Sequence, residues 1–234
     1  MAKLKGLKVL ITGGSSGIGK ATAQKLIQAG AIVCITGRDK NKLDHVAGEI
    51  NAIPIHLDVT KYSNIAVKVL DAFHSMGGID VLVNNAGIGS FSKLDSVKIA
   101  DFDEIFSTNV FGLTMMTQEV VKFFKTQQFG TIVNIGSTAS TNGFASGSVY
   151  CASKFAVRGL TSCWRSELRG DNIRVMLINP SEVPTAFNNK QRIEIEGDPK
   201  KLSSNEIAHA VVSAIEMDDR GFIPELNVWA TNPF

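Results

Sequence analysis

Cysteine is scarce in this chain, and its spacing excludes two kinds of covalent framework. The 234 residues include three cysteines, Cys34, Cys151 and Cys163, an odd number without a CxxC pair. We therefore expect neither a disulfide framework nor a cysteine zinc site, and we predict no metal site. Free thiols suit a reducing compartment, so the sequence predicts a cytoplasmic location.

A strong charge of one sign and a long apolar run are also missing. The 24 Lys and Arg residues are nearly balanced by 22 Asp and Glu residues, which leaves a net charge of +2. That bias is too small to indicate a polyanionic partner. No stretch reaches the roughly 20 apolar residues that a membrane span requires. The sequence thus predicts no nucleic-acid partner and no membrane association.

Short β-branched runs alternate with longer segments of helical periodicity along the whole chain. This alternation is typical of βα units that build a parallel sheet. Seven strands are predicted, at Lys8 to Thr12, Ala31 to Thr36, Ala52 to Leu57, Ile79 to Val83, Thr131 to Gly136, Ile173 to Ile178 and Leu226 to Trp229. Helices are predicted between them at about 17–29, 39–49, 61–75, 102–127, 149–169 and 204–217.

These elements predict a single α/β domain over residues 1–234. Parallel strands with helical crossovers are buried on both sides, so we expect a Rossmann-like doubly wound sandwich, with a seven-stranded parallel sheet flanked by helices on both faces. The ligand crevice should lie at the carboxyl ends of the strands. Residues 181–203, rich in Asn, Lys, Glu, Ser and Pro, predict a mobile substrate lid, with a solvated loop as the alternative.

A glycine-rich turn follows the first predicted strand and opens the first predicted helix. It reads Thr12-Gly13-Gly14-Ser15-Ser16-Gly17-Ile18-Gly19. Glycines permit a tight turn and a close approach of the backbone to a pyrophosphate, which then lies at the positive end of the helix dipole. The order of strand, turn and helix therefore predicts a dinucleotide-binding site.

The end of the second predicted strand bears on the choice between NAD and NADP. Gly37 and Arg38 lie about 20 residues after the last glycine of the turn, where such folds contact the adenosine ribose. An acidic residue there would select NAD, whereas Gly37 leaves room for a 2′-phosphate and Arg38 offers it a bidentate cation. We expect NADP(H) to be preferred over NAD(H). The alternative is that Arg38 only begins a charged helix.

Three side chains indicate acid–base chemistry at the same edge of the sheet. Tyr150 and Lys154 are four residues apart in a helical segment, so they project from one helix face. A nearby ammonium favours the phenolate, and we expect it to lower the pKa of the tyrosine from about 10. Ser137 ends the fifth predicted strand, where its hydroxyl could bind a substrate oxygen or merely cap a turn.

Together these motifs resemble the short-chain dehydrogenase/reductase family over essentially the whole chain. The glycine turn matches the family's Thr-Gly-x-x-x-Gly-x-Gly, residues 84–87 match its Asn-Asn-Ala-Gly, and Tyr150 to Lys154 match its Tyr-x-x-x-Lys. The resemblance extends to members of the 3-oxoacyl-(acyl-carrier-protein) reductase kind. It implies an NADP(H)-dependent oxidoreductase. Such an enzyme interconverts a ketone or 3-oxoacyl compound and the corresponding secondary alcohol by hydride transfer, with Tyr150 as the acid and base.

The resemblance also assigns roles to individual residues. It implies a catalytic tetrad of Asn109, Ser137, Tyr150 and Lys154. Lys154 would bind the nicotinamide ribose and lower the pKa of Tyr150, while the backbone carbonyl of Asn109 would hold a water. The predicted cofactor contacts are Gly13, Ser15, Ser16, Gly17, Ile18, Gly19, Arg38, Asp58, Val59, Asn85, Ala86, Gly87, Tyr150, Lys154, Pro180, Val183 and Thr185.

Other implications concern the substrate pocket and the assembly. The candidate pocket residues mix apolar and small polar side chains, at Ile88, Phe91, Ser92, Thr138, Phe144 and Phe187. The family pattern has a glycine where this chain has Ser181, so the turn after the sixth strand departs from it. The resemblance implies a homodimer or homotetramer built partly from the helices near 102–127 and 149–169.

Two other functions remain open from the sequence. An NAD-linked alcohol or sugar-alcohol dehydrogenase is the first, and the identities of Gly37 and Arg38 argue against it. A non-catalytic module that senses NADP(H) is the second, because a fold alone does not establish catalysis. Such a module has no need of Tyr150 and Lys154 in register with Ser137.

Overall fold

A parallel sheet forms the centre of the computed structural model, which describes residues 2–185, 187, 198 and 200–233. In these residues the strands are β1 (Lys8–Ile11), β2 (Ile32–Gly37), β3 (Ile53–His56), β4 (Val81–Asn84), β5 (Gly130–Ile135), β6 (Ile173–Pro180) and β7 (Glu225–Val228). They form one seven-stranded sheet in the order β3-β2-β1-β4-β5-β6-β7, and every pairing is parallel. Each strand lies within two residues of its predicted position.

Helices connect the strands and cover the sheet. They are α1 (Gly17–Gln28), α2 (Lys40–Ile50), α3 (Tyr62–Met76), α4 (Ile99–Phe106), α5 (Leu113–Gln127), α6 (Ser148–Leu168) and α7 (Ser204–Glu216). Local sequence explains several of their ends: the Asp39 side chain caps α2, Gly77 ends α3 with a φ of 71°, and Ser203 and Glu206 form a capping box for α7.

The segment predicted as one helix at 102–127 differs from a regular helix. It begins earlier, at Ile99, and the six residues Ser107–Gly112 between α4 and α5 form a π-helix. Such widened turns are uncommon and occur often at functional sites. This one contains Asn109, a predicted member of the tetrad.

Apolar side chains alternate between the two faces of the sheet, as the period of a β-strand requires. On β1, Val9 packs into the cluster covered by α1, α2 and α7, whereas Leu10 packs into the cluster covered by α3 and α5. Phe124 of α5 is fully buried in the second cluster. Helices therefore lie on both faces, and the predicted doubly wound α/β fold is confirmed.

Two buried asparagines on the neighbouring strands β4 and β5 are hydrogen-bonded to each other within this core. Asn84 Nδ2 donates to Asn134 Oδ1 at 2.9 Å and to Thr117 Oγ1 at 2.8 Å, and Asn134 Nδ2 donates to Thr161 Oγ1 at 2.8 Å. We call these four residues the amide ladder. It ties β4 and β5 to α5 and α6, so the helix that carries Tyr150 and Lys154 is fixed to the sheet by polar contacts as well as apolar ones.

None of the described helices combines the length and the apolar character that crossing a bilayer requires.

Candidate active site

The strand order reverses between β1 and β4, and a cleft of about 810 Å³ opens at the carboxyl ends of the strands there. Most of the residues predicted from the sequence line it. These are Gly13, Ser15, Ser16, Gly17, Ile18, Arg38, Asp58, Val59, Asn85, Ala86, Gly87, Ser137, Tyr150, Lys154, Pro180, Val183 and Thr185. Gly19 and Asn109 lie outside this lining, and both make contacts that support it.

The glycine turn leaves no room for side chains where it approaches the neighbouring loop. Gly13 and Gly17 have φ values of 66° and 51°, in the region that favours glycine. A Cβ on Gly19 would lie 2.3 Å from the Gly13 oxygen and 2.5 Å from Asn85 Nδ2. Helix α1 begins at Gly17, and the Ser16 side chain makes no hydrogen bond that caps it. The helix terminus is therefore open to an anion in the cleft.

Thr12 and Asn85 join this turn to the loop after β4. The Thr12 hydroxyl oxygen accepts from the Asn85 N–H at 3.1 Å and from the Ala86 N–H at 3.0 Å. Asn85 Nδ2 donates back to the Thr12 and Gly13 carbonyls at 3.0 Å and 2.9 Å. The two segments form one rigid wall of the cleft.

The end of the cleft near α2 is lined by two cations and by the carboxylates of Asp39 and Asp58. A Cβ on Gly37 would lie 3.2 Å from Ser15 Oγ, so the chain has little room for a larger residue there. Arg38 is exposed and lines the cleft together with Lys42 of α2, a residue that sequence reasoning missed. The Asp39 carboxylate accepts from the Lys42 backbone N–H at 3.1 Å, which directs it toward the start of α2.

Asp58 and Val59 form the wall opposite the glycine turn. Asp58 Oδ1 accepts from the Thr60 N–H at 3.0 Å and from its hydroxyl at 2.8 Å, which fixes the carboxylate in a local turn. Val59 is buried against the π-helix, where a Cβ on Gly112 would lie 2.9 Å from its Cγ2. The wall is thus shaped by the irregular helix behind it.

Tyr150, Lys154 and Ser137 meet at the carboxyl end of β5. The Ser137 side chain interacts with the Tyr150 phenol and lowers its pKa, and Ser137 Oγ accepts from the Ala139 N–H at 3.1 Å. Lys154 Nζ lies 5.8 Å from the centre of the Tyr150 ring and donates to the Ile135 carbonyl at 2.8 Å. Both Tyr150 and Lys154 are buried.

Burial governs the protonation of this pair. Desolvation raises the pKa of Tyr150 to about 12, against a smaller lowering by the hydrogen bond from Ser137. Desolvation lowers the pKa of Lys154 to about 8. The pKa of Tyr150 therefore moves in the direction opposite to the one predicted from the neighbouring ammonium, because burial disfavours the charged phenolate by more than the Ser137 side chain favours it.

Asn109 acts as a clamp through its side chain. Its Oδ1 accepts from the Ile88 N–H at 2.9 Å, and its Nδ2 donates to the Ile88 carbonyl at 3.0 Å and to Ser153 Oγ at 3.1 Å. Ser153 in turn donates to the Tyr150 carbonyl at 2.7 Å. The π-helix is thereby tied both to the loop after β4 and to the turn of α6 that carries Tyr150. That its backbone carbonyl holds a water stays a prediction.

A second polar chain, which sequence reasoning missed, supports Ser137 from β6 and β7. Asn179 Oδ1 accepts from the Ser137 N–H at 3.2 Å, and Asn179 Nδ2 donates to Glu225 Oε1 and Asn227 Oδ1, each at 3.0 Å. Glu225 also pairs with Arg158 of α6 at 3.1 Å. Asn179 is fully buried, so its bonds fix the position of Ser137.

The substrate side and the predicted lid are partly described. Ile88, Phe91, Thr138, Phe144 and Phe187 line the cleft, whereas the predicted Ser92 does not. Of the lid predicted at 181–203, residues 186, 188–197 and 199 lie outside the described part of the chain. The Glu182 and Lys201 side chains join its two ends at 2.7 Å.

The described residues fit a nicotinamide dinucleotide. The glycine turn lines the cleft at Gly13 and Gly17, and α1 begins there without a side-chain cap, so these two features provide a cradle for a pyrophosphate. Arg38, Lys42 and Asp58 line the part of the cleft where an adenosine would lie, and Tyr150 and Lys154 line the part where a nicotinamide would lie.

Comparisons with known proteins agree with this geometry. The short chain dehydrogenase family matches residues 7–196. The NADP-dependent 3-hydroxy acid dehydrogenase of Schizosaccharomyces pombe is 30% identical over 99% of this chain and 95% of its own. The 3-oxoacyl-(acyl-carrier-protein) reductase of Thermotoga maritima is 38% identical over 80% of this chain and 78% of its own.

A solved structure leads to the same family. The 3-ketoacyl-(acyl-carrier-protein) reductase of Brucella melitensis, complexed with NADH, superposes with a TM-score of 0.88 at 30% identity, over 99% of this chain and 100% of that one. The resemblance inferred from the sequence motifs is confirmed. The chain therefore belongs to the short-chain dehydrogenase/reductase family and is an oxidoreductase that acts between alcohols and carbonyl compounds.

Proposed function

We propose that this enzyme is an NADP(H)-dependent reductase that converts a ketone or 3-oxoacyl compound into a secondary alcohol, with Tyr150 as the proton donor. The observation that carries the proposal is that Ser137, Tyr150 and the buried Lys154 meet in the cleft that the glycine turn also lines. A sensor would not require this arrangement.

The preference for NADP(H) rests on the adenosine end of the cleft. Gly37 carries no carboxylate, Arg38 is exposed beside it, and Lys42 lines the same region. A guanidinium and an ammonium bind a phosphate dianion well. The relative from S. pombe bears the name of an NADP-dependent enzyme, which supports the same choice.

The proton chemistry follows from the two pKa values. A phenol with a pKa of about 12 is fully protonated at neutral pH, so Tyr150 is ready to donate to a carbonyl oxygen that gains negative charge. Ser137 would donate a hydrogen bond to the same oxygen. NADPH, when bound, supplies the hydride.

Supporting roles complete the proposal. Lys154, held in place by the Ile135 carbonyl, would bind the nicotinamide ribose and stabilise a phenolate through its positive charge. Asn109 would keep α6 and the loop after β4 in register, and its backbone carbonyl would hold the water that returns a proton.

The test combines cofactor binding with turnover. We expect purified protein to bind NADPH more tightly than NADH, and to consume NADPH with a panel of ketones and 3-oxoacyl thioesters only while Tyr150 is intact. Tyr150→Phe should bind NADPH normally and lose turnover. Binding of NADPH without turnover of any compound would contradict the reductase and support a sensor.

A matched pair of variants isolates the cofactor preference. Arg38→Gln should weaken NADPH binding roughly ten- to a hundredfold, the usual effect of losing a hydrogen bond to a charged group, and leave NADH binding unchanged. Arg220→Gln removes a 94% exposed guanidinium that does not line the cleft, and it should change neither affinity. An equal loss for both cofactors in Arg38→Gln would contradict the 2′-phosphate assignment.

We also propose that the chain is one domain that assembles as a homodimer or homotetramer. One sheet collects strands from Lys8 to Val228. Phe102, Phe111 and Phe155 are 37%, 50% and 46% exposed on α4, the π-helix and α6, the region where the family resemblance implies contacts. Light scattering in solution tests the assembly, and a monomer at every concentration would contradict it.

A further inference from the structure

Three phenylalanine rings surround the proposed proton donor. The centres of the Phe91 and Tyr150 rings are 5.6 Å apart at an interplanar angle of 73°, and those of Phe187 and Tyr150 are 5.8 Å apart at 64°. Phe144 lies 5.8 Å from Phe91. We call Phe91, Phe144 and Phe187 the aromatic wall. All three line the cleft, so a substrate that reaches Tyr150 must contact them.

The backbone around the aromatic wall is shaped to hold the rings. A Cβ on Gly89 would lie 2.6 Å from the Phe187 ring and 3.2 Å from the Phe91 ring. A Cβ on Gly147 would lie 2.6 Å from the Phe144 ring. The rings therefore occupy the space that side chains at these two positions would fill, and their positions are set by the fold.

A backbone hydrogen bond brings two of the rings together. Ser92 N–H donates to the Ser146 carbonyl at 2.9 Å, and Ser146 has a φ of 65°, in the left-handed region. This bond joins the loop that carries Phe91 to the loop that carries Phe144. A serine in the left-handed region raises the conformational energy of the backbone, and here that conformation occurs beside the hydrogen bond that joins the two loops of the aromatic wall.

The rings keep large apolar surfaces uncovered. Phe91 and Phe144 are 48% and 50% exposed although they line a cleft. Exposed apolar surface that borders a site gains free energy when a ligand covers it, and aromatic rings prefer edge-to-face or offset contacts with another ring. An aromatic group on the substrate matches both requirements.

In the part of the chain that the structure describes, the cleft offers no exposed cation to an anionic substrate end at this wall. In the described lining, Arg38 and Lys42 lie at the end of the cleft near α2, and Lys154 is buried and donates to the Ile135 carbonyl, so none of the three is an exposed cation at the aromatic wall. The described lining also contains the carboxylates of Asp39, Asp58 and Glu182, and Glu182 pairs with Lys201. A substrate carboxylate at the wall would therefore meet apolar rings without a cation of the described lining to pair with it.

We propose that the aromatic wall selects an uncharged ketone that carries an aromatic ring next to the carbonyl group. The inference rests on the proposed reductase function and names its substrate class. In the reaction the carbonyl carbon receives the hydride of NADPH, which is oxidised to NADP⁺, and the oxygen receives the phenol proton of Tyr150. The product is a secondary aryl alcohol.

The test compares three methyl ketones of similar size by NADPH consumption. They are acetophenone, cyclohexyl methyl ketone and 4-acetylbenzoate. We expect kcat/KM for acetophenone to exceed that for the cyclohexyl compound by roughly two- to tenfold for each ring contact. The carboxylate should reduce kcat/KM by at least about tenfold, because the described wall offers it no hydrogen-bond partner.

Variants show whether the wall itself causes the selectivity. Phe91→Leu and Phe144→Leu should lose the preference for acetophenone over the cyclohexyl compound and keep the NADPH affinity of the wild type. Phe129→Leu is the matched control. Phe129 is 48% exposed and directly precedes β5, so it lies at the amino ends of the strands, whereas the cleft lies at their carboxyl ends. It should keep the full preference.

The results with the three ketones distinguish a failure of the proposed aryl-ketone selectivity from a failure of the proposed reductase function. Turnover of all three ketones without a preference for acetophenone, or with a preference for the carboxylate, overturns the inference alone. An equal loss for every ketone in Phe144→Leu also overturns it, because the ring would then be only structural. No turnover of any ketone, including 3-oxoacyl thioesters, overturns the proposed function and the inference together.

Discussion

Replacing Thr161 by valine should measure how firmly the amide ladder fixes α6. Thr161 is fully buried, and valine keeps its shape while replacing the hydroxyl with a methyl group. The change removes the acceptor for Asn134 Nδ2, which donates to Thr161 Oγ1 at 2.8 Å. Asn134 is fully buried too, so water cannot replace the lost bond.

The expected cost follows from that unpaired amide. Leaving a buried donor without its partner costs about 1–3 kcal/mol. For a domain of this size each kcal/mol lowers the melting temperature by roughly 2–4 °C, so we expect a fall of about 2–12 °C. Thermal unfolding followed by circular dichroism measures it.

Thr114→Val provides the control for the helical part of the effect. The Thr114 and Thr161 hydroxyls both donate to the carbonyl four residues earlier, at 2.7 Å in each case, but only the Thr161 hydroxyl also accepts from Asn134. The difference between the two variants is therefore the contribution of the ladder. Equal melting temperatures for Thr161→Val and Thr114→Val would refute the reasoning, because the loss of the hydrogen bond from Asn134 would then have no effect on stability.

Three further predictions address the cofactor turn, the buried lysine and the support of Ser137. Gly19→Ala places a Cβ 2.3 Å from the Gly13 oxygen, so NADPH affinity in a fluorescence titration should fall roughly tenfold or more, and an unchanged affinity would contradict the cradle. Lys154 has a folded-state pKa of about 8 against an ordinary 10.5, so between these pH values the unfolded chain keeps a proton that the folded protein has released. The free energy of unfolding should therefore rise with pH across this window in the wild type and rise less in Lys154→Met, as chemical denaturation at several pH values would show. Asn179→Asp places a carboxylate where the amide nitrogen lies 3.0 Å from Glu225 Oε1, so the melting temperature should fall at neutral pH and partly recover below about pH 5; a fall independent of pH would contradict the charge argument.

Features that depend on neighbours in sequence were predictable. The strands were found because β-branched apolar runs such as Val81–Asn84 are short and bounded by glycines or polar residues. The glycine turn needed only the order of strand, turn and helix. The pairing of Tyr150 with Lys154 followed from helical spacing, because residues four apart share a face.

Features that depend on distant contacts were not predictable. The π-helix at Ser107–Gly112 was missed because a widened turn barely disturbs the apolar period on either side. The direction of the Tyr150 pKa was wrong because sequence spacing gives the distance to Lys154 but not the depth of burial. Asn179 supports Ser137 across 42 positions of sequence, a contact that only the parallel pairing of β5 and β6 creates.

The π-helix makes the chain sensitive to the loss of a residue between α4 and α5. A π-turn contains one residue more than an α-turn, so deleting one residue of Ser107–Gly112 other than Asn109 would restore regular hydrogen bonding there. Each residue of an α-helix advances the helix by about 100°, so α4 would then be rotated by that angle relative to α5. Asn109 would point away from Ile88, although every side chain of the proposed catalytic site would still be present. The number of residues between α4 and α5 therefore determines the position of Asn109 as much as their identity does. A deletion there would disturb the site more than a substitution.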